Sequence, residues 1–394
     1  MKLIRFLFIT IGLSVVINAC HKSTQKATVT NFPIEKIEIH PAFLTPKCAY
    51  DSIYIKQIIK LQEPEDLPIG KIDKLILTKE RIFALDYTYS KYLYVFDRDG
   101  SFLFKIGDKG RGPREYFRSP QDFFINESQR QIEVFESNLR KIYVYDWDGD
   151  IIKEKQILNC WPESCAPLDS SFTAYSFSSK DRHRNNLFLL QIKDSKQQSI
   201  FNFKPLTMDV HSYWRNHFYK TDSVTYFVEG HCDTIYALKN NTIAKGIWVN
   251  FGDKAVPVNF QSDIKMDMLL WTNEVMKSPF AHSISNIVET DTLFCFDYIY
   301  KSVGYHVVYN KNKHKYMNGF DVFSGFPSSI YANHKNDLVT VIDNQYIELQ
   351  KNAYTTEKEW NDFLQTMHPA IRKILYENRD KEASSYIIIY KLKF

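Results

Sequence analysis

Two stretches of this chain, RIFALDYTYSKYLYVFDRDGSFLFKIG (81–107) and QIEVFESNLRKIYVYDWDGDIIKEKQI (131–157), can be laid over each other at an offset of about 50 residues. The run 93–97 (LYVFD) falls on 142–146 (IYVYD), and each is followed by an Asp-Gly pair, Asp99-Gly100 and Asp148-Gly149. Asp-Gly between apolar runs is a strong hairpin signal, because the two-residue turn that suits strand twist needs positive φ. Each copy therefore reads strand, short loop, strand, Asp-Gly hairpin, strand. A preceding strand, Ile72–Thr78 or Gln121–Ile125, makes four. Four short antiparallel strands repeated every 40–50 residues or so match the blade of a β-propeller, whose sheets bury one another's faces in a closed circle.

Later copies are more worn. Candidates lie at 186–203, 231–251, 284–317 and 328–350, giving six blades with seven as the alternative count. A strand at 52–62 and another at 385–394 are left over, and pairing both termini into the ring would lock it shut. Composition agrees with an all-β chain: 25 Tyr and 29 Phe against 7 Met favour pleated, half-buried surfaces over helices. One segment breaks the pattern. Thr356 and Glu359 form a capping-box pair, and Trp360, Phe363, Leu364 and Met367 follow at helical spacing. Pro369 ends that helix or starts a second containing Ile371, Ile374 and Leu375. This predicts a helical insertion over about 356–380, before the closing strand. Its apolar stripe either packs on the last blade or serves as a lid or docking helix.

The N-terminus is read as a processing signal. Lys2 and Arg5 precede an apolar run that ends at Asn18-Ala19-Cys20, the order of a secretory signal peptide over residues 1–19. Ile17–Cys20 resembles a bacterial lipobox, which implies acylation of Cys20, a lipid-anchored linker over 20–50 and a propeller domain over 51–394. Two or three acyl chains give stable anchoring. With no Asp after Cys20 and no acidic cluster beyond it, the expected place is the periplasm-facing leaflet of the outer membrane, with surface exposure as the alternative. Removing Lys2 and Arg5 takes the formal net charge from +4 to +2, too little field for nucleic acid. Six cysteines become five once Cys20 carries lipid, so at least one stays unpaired. Cys160 and Cys165 either close a small disulfide loop or stand as separately buried thiols.

The loop GDKGRGPREYFRSPQDF (107–123) follows a strand and is rich in glycine. Its glycines are not in GxGxxG order, and a strand pattern rather than a helix follows, so a phosphate cradle is not expected. The run resembles the inter-blade crossing of NHL-type repeats, with Gly112, Tyr116 and Pro120 in the glycine, aromatic and proline roles. GRGPREY (110–116), together with CDTIYAL (232–238) and VNFGDKAVP (249–257), is similar to the six-bladed β-propeller lipoproteins of Bacteroides-type bacteria. Arg114 stands where that family often has glycine. The resemblance implies a secreted, lipid-anchored propeller with a binding role often linked to nutrient capture. It carries no catalytic residues across.

Catalytic motifs are absent from the sequence. There is no GxSxG, HExxH, Walker or EF-hand signature, and His183, His211, His217, His231, His282 and His306 lack ligand spacing. The acid pairs Asp97/Asp99 and Asp146/Asp148 recur in the hairpins and read as turn residues. No metal site and no cofactor is expected. Candidate ligand contacts are Arg111, Arg114, Glu115 and Tyr116 on the inter-blade loop, with Trp147 and Trp214 as sugar-stacking faces. The expected function is a noncatalytic binding protein for a glycan, peptide or envelope protein. The alternative is a propeller hydrolase or lyase with a metal on the axis.

Overall fold

The computed structural model describes residues 32–394 apart from 111, 113–114, 117–118, 158–163, 169–171, 177–186, 192–215, 222, 229–231, 240–241, 258–259, 261–267 and 380–383, with backbone only at 172, 176, 187–191 and 268–272. Strands β1 (Ile34–Glu38) and β2 (Ile53–Lys60) come first. The first repeat folds as β3 (Lys74–Leu77), β4 (Arg81–Asp86), β5 (Tyr92–Asp97) and β6 (Phe102–Ile106). The second folds as β7 (Asp122–Asn126), β8 (Gln131–Glu136), β9 (Lys141–Tyr145) and β10 (Ile151–Gln156). Next come β11 (Ser164–Pro167), β12 (Phe172–Ser176) and β13 (Leu187–Gln191). They are followed by β14 (Phe218–Lys220), β15 (Thr225–Val228), β16 (Thr234–Lys239) and β17 (Thr242–Asn250). Helix α1 (Met268–Lys277) leads into β18 (Ala281–Glu289), β19 (Leu293–Tyr300), β20 (Val303–Asn310) and β21 (Lys315–Gly319). The chain ends with β22 (Ala332–His334), β23 (Asp337–Ile342), α2 (Asn344–Ala353), α3 (Glu357–Thr366), α4 (Pro369–Glu377) and β24 (Tyr386–Leu392).

These strands build a β-propeller. Both Asp-Gly hairpins form as expected: Gly100 and Gly149 each sit at φ 90°, and a Cβ on Gly100 would lie 2.3 Å from the Lys60 carbonyl oxygen. Asp97 Oδ1 accepts from the backbone N–H of Asp99 and Ser101, and Asp146 Oδ1 from those of Asp148 and Asp150, so these acids serve the turns.

Near-continuous apolar strands are explained by burial on both faces, since side chains alternate with period two. On β4, Ile82 and Ala84 pack with Val339, Val341, Ile387 and Ile389 of the last sheet. Phe83 and Leu85 turn the other way, onto Phe123, Ile132 and Val134 of the second. The same sharing continues around the molecule: Phe124, Phe135 and Val144 pack with Ala166, Tyr175, Phe218 and Phe227, and Tyr226 and Ile247 pack with Phe294 and Phe296. Leu293, Cys295 and Val308 then meet Leu338, Ile388 and Tyr390.

Five complete blades of at least four strands are present among the described residues, against the expected six or seven. Between the second and the next complete blade stands a three-stranded sheet, β11-β12-β13. The candidate copy at 186–203 supplies only β13 there, because 192–215 lies outside the described residues. The stretch 328–350 is half blade and half helix: Asp343 caps α2 by accepting from the Tyr346 N–H at 2.9 Å, and turns the chain out of the sheet. Closure by both termini holds. The last sheet runs β22-β23-β24-β2, with β2 antiparallel to β24. The segment read as a linker contains β1, which adds to β17 in parallel because Ile37 and Ile39 reach the core.

The helical insertion is as the sequence implied. Thr356 and Glu359 make the reciprocal capping box, and Pro369 opens α4. Trp360, Leu364, Ile371, Ile374 and Leu375 pack in the same core as Leu338 and Tyr390, so the stripe covers the last blade. Replacing Thr356 with Ala should lower the unfolding free energy by about 1 kcal/mol. A urea midpoint unchanged in the variant would contradict a stabilising cap.

Candidate functional site

The inner strand of each sheet borders the axis. Strand β11 neighbours β7 and β14, β14 neighbours β18, β18 neighbours β22, and β22 neighbours β3. Polar side chains on and beside these strands link neighbouring sheets, and two of these links are built from ionisable groups.

The first link joins the early sheets. Lys74 Nζ on β3 donates to Asp122 Oδ1 on β7 at 2.6 Å, and Ser164 Oγ on β11 donates to Asp122 Oδ2 at 3.4 Å. The Phe123 N–H adds a bond to Oδ1 at 2.8 Å, and the Lys74 ammonium lies 4.2 Å from the Phe124 ring centroid. Burial pushes the Asp122 carboxyl up, and Lys74 draws it partly back. Lys220, at the end of β14, has an exposed side chain, yet surrounding protein lowers its ammonium while Glu133 and Glu127 oppose the shift.

The second link is built on a distorted strand. Pairing of β18 with β19 slips twice, and Ser283 and Asn286 adopt φ 56° and 51°. Non-glycine residues in that region cost on the order of 1 kcal/mol or more, and bulges of this kind re-aim side chains. Here the re-aimed side chain is Asn286. Its Nδ2 donates to Asp297 Oδ2 at 2.9 Å and to the Ile330 carbonyl at 2.6 Å, joining this sheet to the next. Asp297 Oδ1 then holds His306 Nδ1 at 2.7 Å across β19 and β20. Burial works to lower the His306 imidazole, but the charge and hydrogen bond of Asp297, with Asp321 behind them, prevail and hold it above its ordinary value. Nε2 of His306 makes no hydrogen bond among the described residues. The Asn286 backbone lies near the Tyr219 hydroxyl, which donates to the Asn216 carbonyl at 2.8 Å. Burial raises Tyr219 and Tyr331, and both feel the charge of Asp297. The result is a set of fixed donors and acceptors, Asn286, Asp297 and His306, with the Tyr219 hydroxyl on the neighbouring sheet. Among the described residues no three His, Cys, Asp or Glu side chains converge to hold a metal ion.

The residues nominated from sequence are placed differently. Arg111, Arg114, Trp214, Cys20 and Cys160 lie outside the described residues. Glu115 is spent within its own loop, where Oε2 accepts from the Gly112 N–H at 2.6 Å. Tyr116 is fully buried, its hydroxyl 2.8 Å from that of Tyr145. Trp147 is also buried, with the guanidinium of Arg81 5.2 Å and that of Arg130 4.7 Å from its ring. Those cations occupy the indole, so it offers no open stacking face. Cys165 is a free thiol packed in the core, and burial raises it. The Asn286 cluster had no sequence signal beyond its membership of the copy at 284–317, because its geometry comes from bulges and from sheets distant in the chain.

The family described as Domain of unknown function (DUF4934) matches residues 44–371. A Bacteroides fragilis protein provisionally named as exported superposes with a TM-score of 0.72 at 16% identity, over 92% of this chain and 100% of its own. A member of the DUF4221 family from Bacteroides vulgatus superposes with a TM-score of 0.49 at 9% identity, over 86% of this chain and 98% of its own. No curated protein matches.

Proposed function

Because the chain belongs to the family described as domain of unknown function DUF4934, we propose from the site itself that it is a noncatalytic binding protein of the cell envelope. In this reading residues 1–19 are removed, Cys20 carries the lipid, and the propeller stands on the periplasmic side of the outer membrane. The lipobox supports this, as does the export named for the Bacteroides fragilis neighbour. The sheet β11–β13, packed between its neighbours through Ala166 and Tyr175, counts as a sixth blade, and the loop before Pro120 as an NHL-like crossing.

One observation carries the binding role. The carboxylate of this cluster, Asp297, is already spent on His306 and Asn286, which leaves rigid donors and acceptors rather than a free acid–base pair. Rigid polar groups beside tyrosines suit recognition of a glycan or peptide. The alternative, a hydrolase or lyase, draws on His306, whose Nδ1 is oriented by a carboxylate in the manner of a general base.

The test is a glycan and peptide array probed with mature protein, followed by calorimetry on the hit with His306→Gln and Asn286→Ala. Binding should weaken about tenfold in each, equivalent to about 1.4 kcal/mol. An array and an envelope pull-down that both return nothing would remove the reading. Turnover of an array ligand would replace it with the alternative.

A further inference from the structure

A second surface lies at one end of the β18–β21 sheet, where four apolar side chains stand in solvent: Phe43 at 72%, Phe320 at 52%, Leu44 at 51% and Val303 at 46% exposure. They form one patch. Leu44 Cδ2 approaches within 3.7 Å of where a Cβ on Gly319 would stand, and Phe320 is the next residue. The Phe320 ring lies 6.5 Å from Tyr305, and Tyr305 lies 5.7 Å from Tyr300, the strand partner of Val303. Patches of this kind mark interaction surfaces.

The shape and charge of the patch select the partner. Its residues project from turns: Phe43 closes one through its N–H to the His40 carbonyl, and Val303 follows the left-handed pair Lys301 and Ser302. Projecting tips can enter a soft medium without a matching pocket. Around them, Lys47 is paired with Asp321 and Lys254 with Asp253, while the exposed Lys277 and Lys301 have no acidic partner among the described residues. Ser302 Oγ bonds the Met276 carbonyl at 2.5 Å, which places Lys277 beside this turn. Aromatic and aliphatic tips with two unpaired lysines beside them match a surface that enters the headgroup layer of an anionic bilayer. Fourteen residue steps separate Cys20 from Ile34, a reach of at most ~50 Å at ~3.5 Å per residue, and Phe43 lies five residues beyond β1.

We propose that Phe43, Leu44, Val303 and Phe320 form a membrane-contact surface that seats the propeller on an anionic lipid bilayer in a fixed orientation. The role of the tether rests on the lipid-anchor reading above; the contact itself does not. Residues 31–394 form one compact unit, so unacylated protein starting at residue 21 provides the test. It should sediment with vesicles of phosphatidylethanolamine and phosphatidylglycerol. Phe43→Ser combined with Phe320→Ser should cut the bound fraction about tenfold, while Ile152→Ser, an exposed apolar residue on the β10 edge, should leave it unchanged. Equal far-ultraviolet spectra for the three proteins exclude misfolding as the cause. Absence of vesicle binding by the parent, or equal loss in the Ile152 variant, overturns the proposal. So does concentration-dependent self-association abolished by the double variant, because a second copy would then be the occupant. Mass spectrometry of Cys20 in the native chain tests the anchor separately, so either claim can fail alone.

Discussion

Replacing Lys74 with Met should destabilise the protein by about 3–5 kcal/mol, the cost of stranding one member of a buried ion pair. Asp122 is buried among three sheets and depends on Lys74 for its charged bond. The Ser164 hydroxyl at 3.4 Å and the Phe123 N–H cannot replace a cation. Burial already raises Asp122, and removing Lys74 takes away what opposes that rise. The carboxyl in the folded variant therefore ionises well above its unfolded value. The deficit is then complete above that raised folded pKa and shrinks as pH falls through it, because the folded state keeps a proton that the unfolded state releases. A second change, Asp122→Asn, should recover most of the loss at neutral pH, since an uncharged pair of similar volume has little to desolvate. Urea unfolding of the two single variants and the double variant gives the coupling directly. A Lys74→Met cost below about 1 kcal/mol would mean that water reaches Asp122 and that the link between β3, β7 and β11 has no structural weight.

The legible part of this chain was the part whose cause is local. Asp-Gly turns and strands apolar on both faces announce blades because each can be recognised within about ten residues, and 81–107 and 131–157 fold as those signals imply. The capping box at Thr356 was equally local. The pairing of β24 with β2 could be inferred because both termini were left without a partner. Other features depended on tertiary context. Strand β1 is held by parallel pairing with β17 and by Ile37 and Ile39 in the core, and α2 begins where Asp343 happens to cap. The candidate site was less legible. Tyr116 and Trp147 look like binding residues because aromatics beside charges have that composition whether the ring ends up buried or exposed. Asn286 and Asp297 gain their role from two bulges in β18 and from contact with Ile330, and no spacing rule encodes either.

Acid should weaken this fold through His282, which opens the same bulged strand. The side chain is buried, with Nδ1 2.9 Å from Ser283 Oγ and Nε2 without a hydrogen-bond partner among the described residues. Burial lowers its pKa from the ordinary 6.5 to about 4, and the nearby Val275 carbonyl offsets only part of that. Above pH 6.5 the ring is neutral in both folded and unfolded chains, so stability does not respond. Between about 6.5 and 4 the unfolded chain takes up a proton that the folded one refuses, and stability falls; below about 4 the loss is complete. At pH 4.5 it should amount to about 2–3 kcal/mol. Other buried groups respond to acid with the opposite sign. Burial raises Asp122, Asp343 and Glu63, so the folded state binds their protons first as pH drops. The informative quantity is therefore the difference between the parent chain and His282→Gln, which cancels those carboxylates. The gap between the two should change by about 2–3 kcal/mol from pH 7 to pH 4.5 in favour of the variant. A gap constant across that range would mean that His282 accepts its proton in the folded state. The corner that aims Asn286 would then be open to water, contrary to the rigid arrangement the proposed binding role requires.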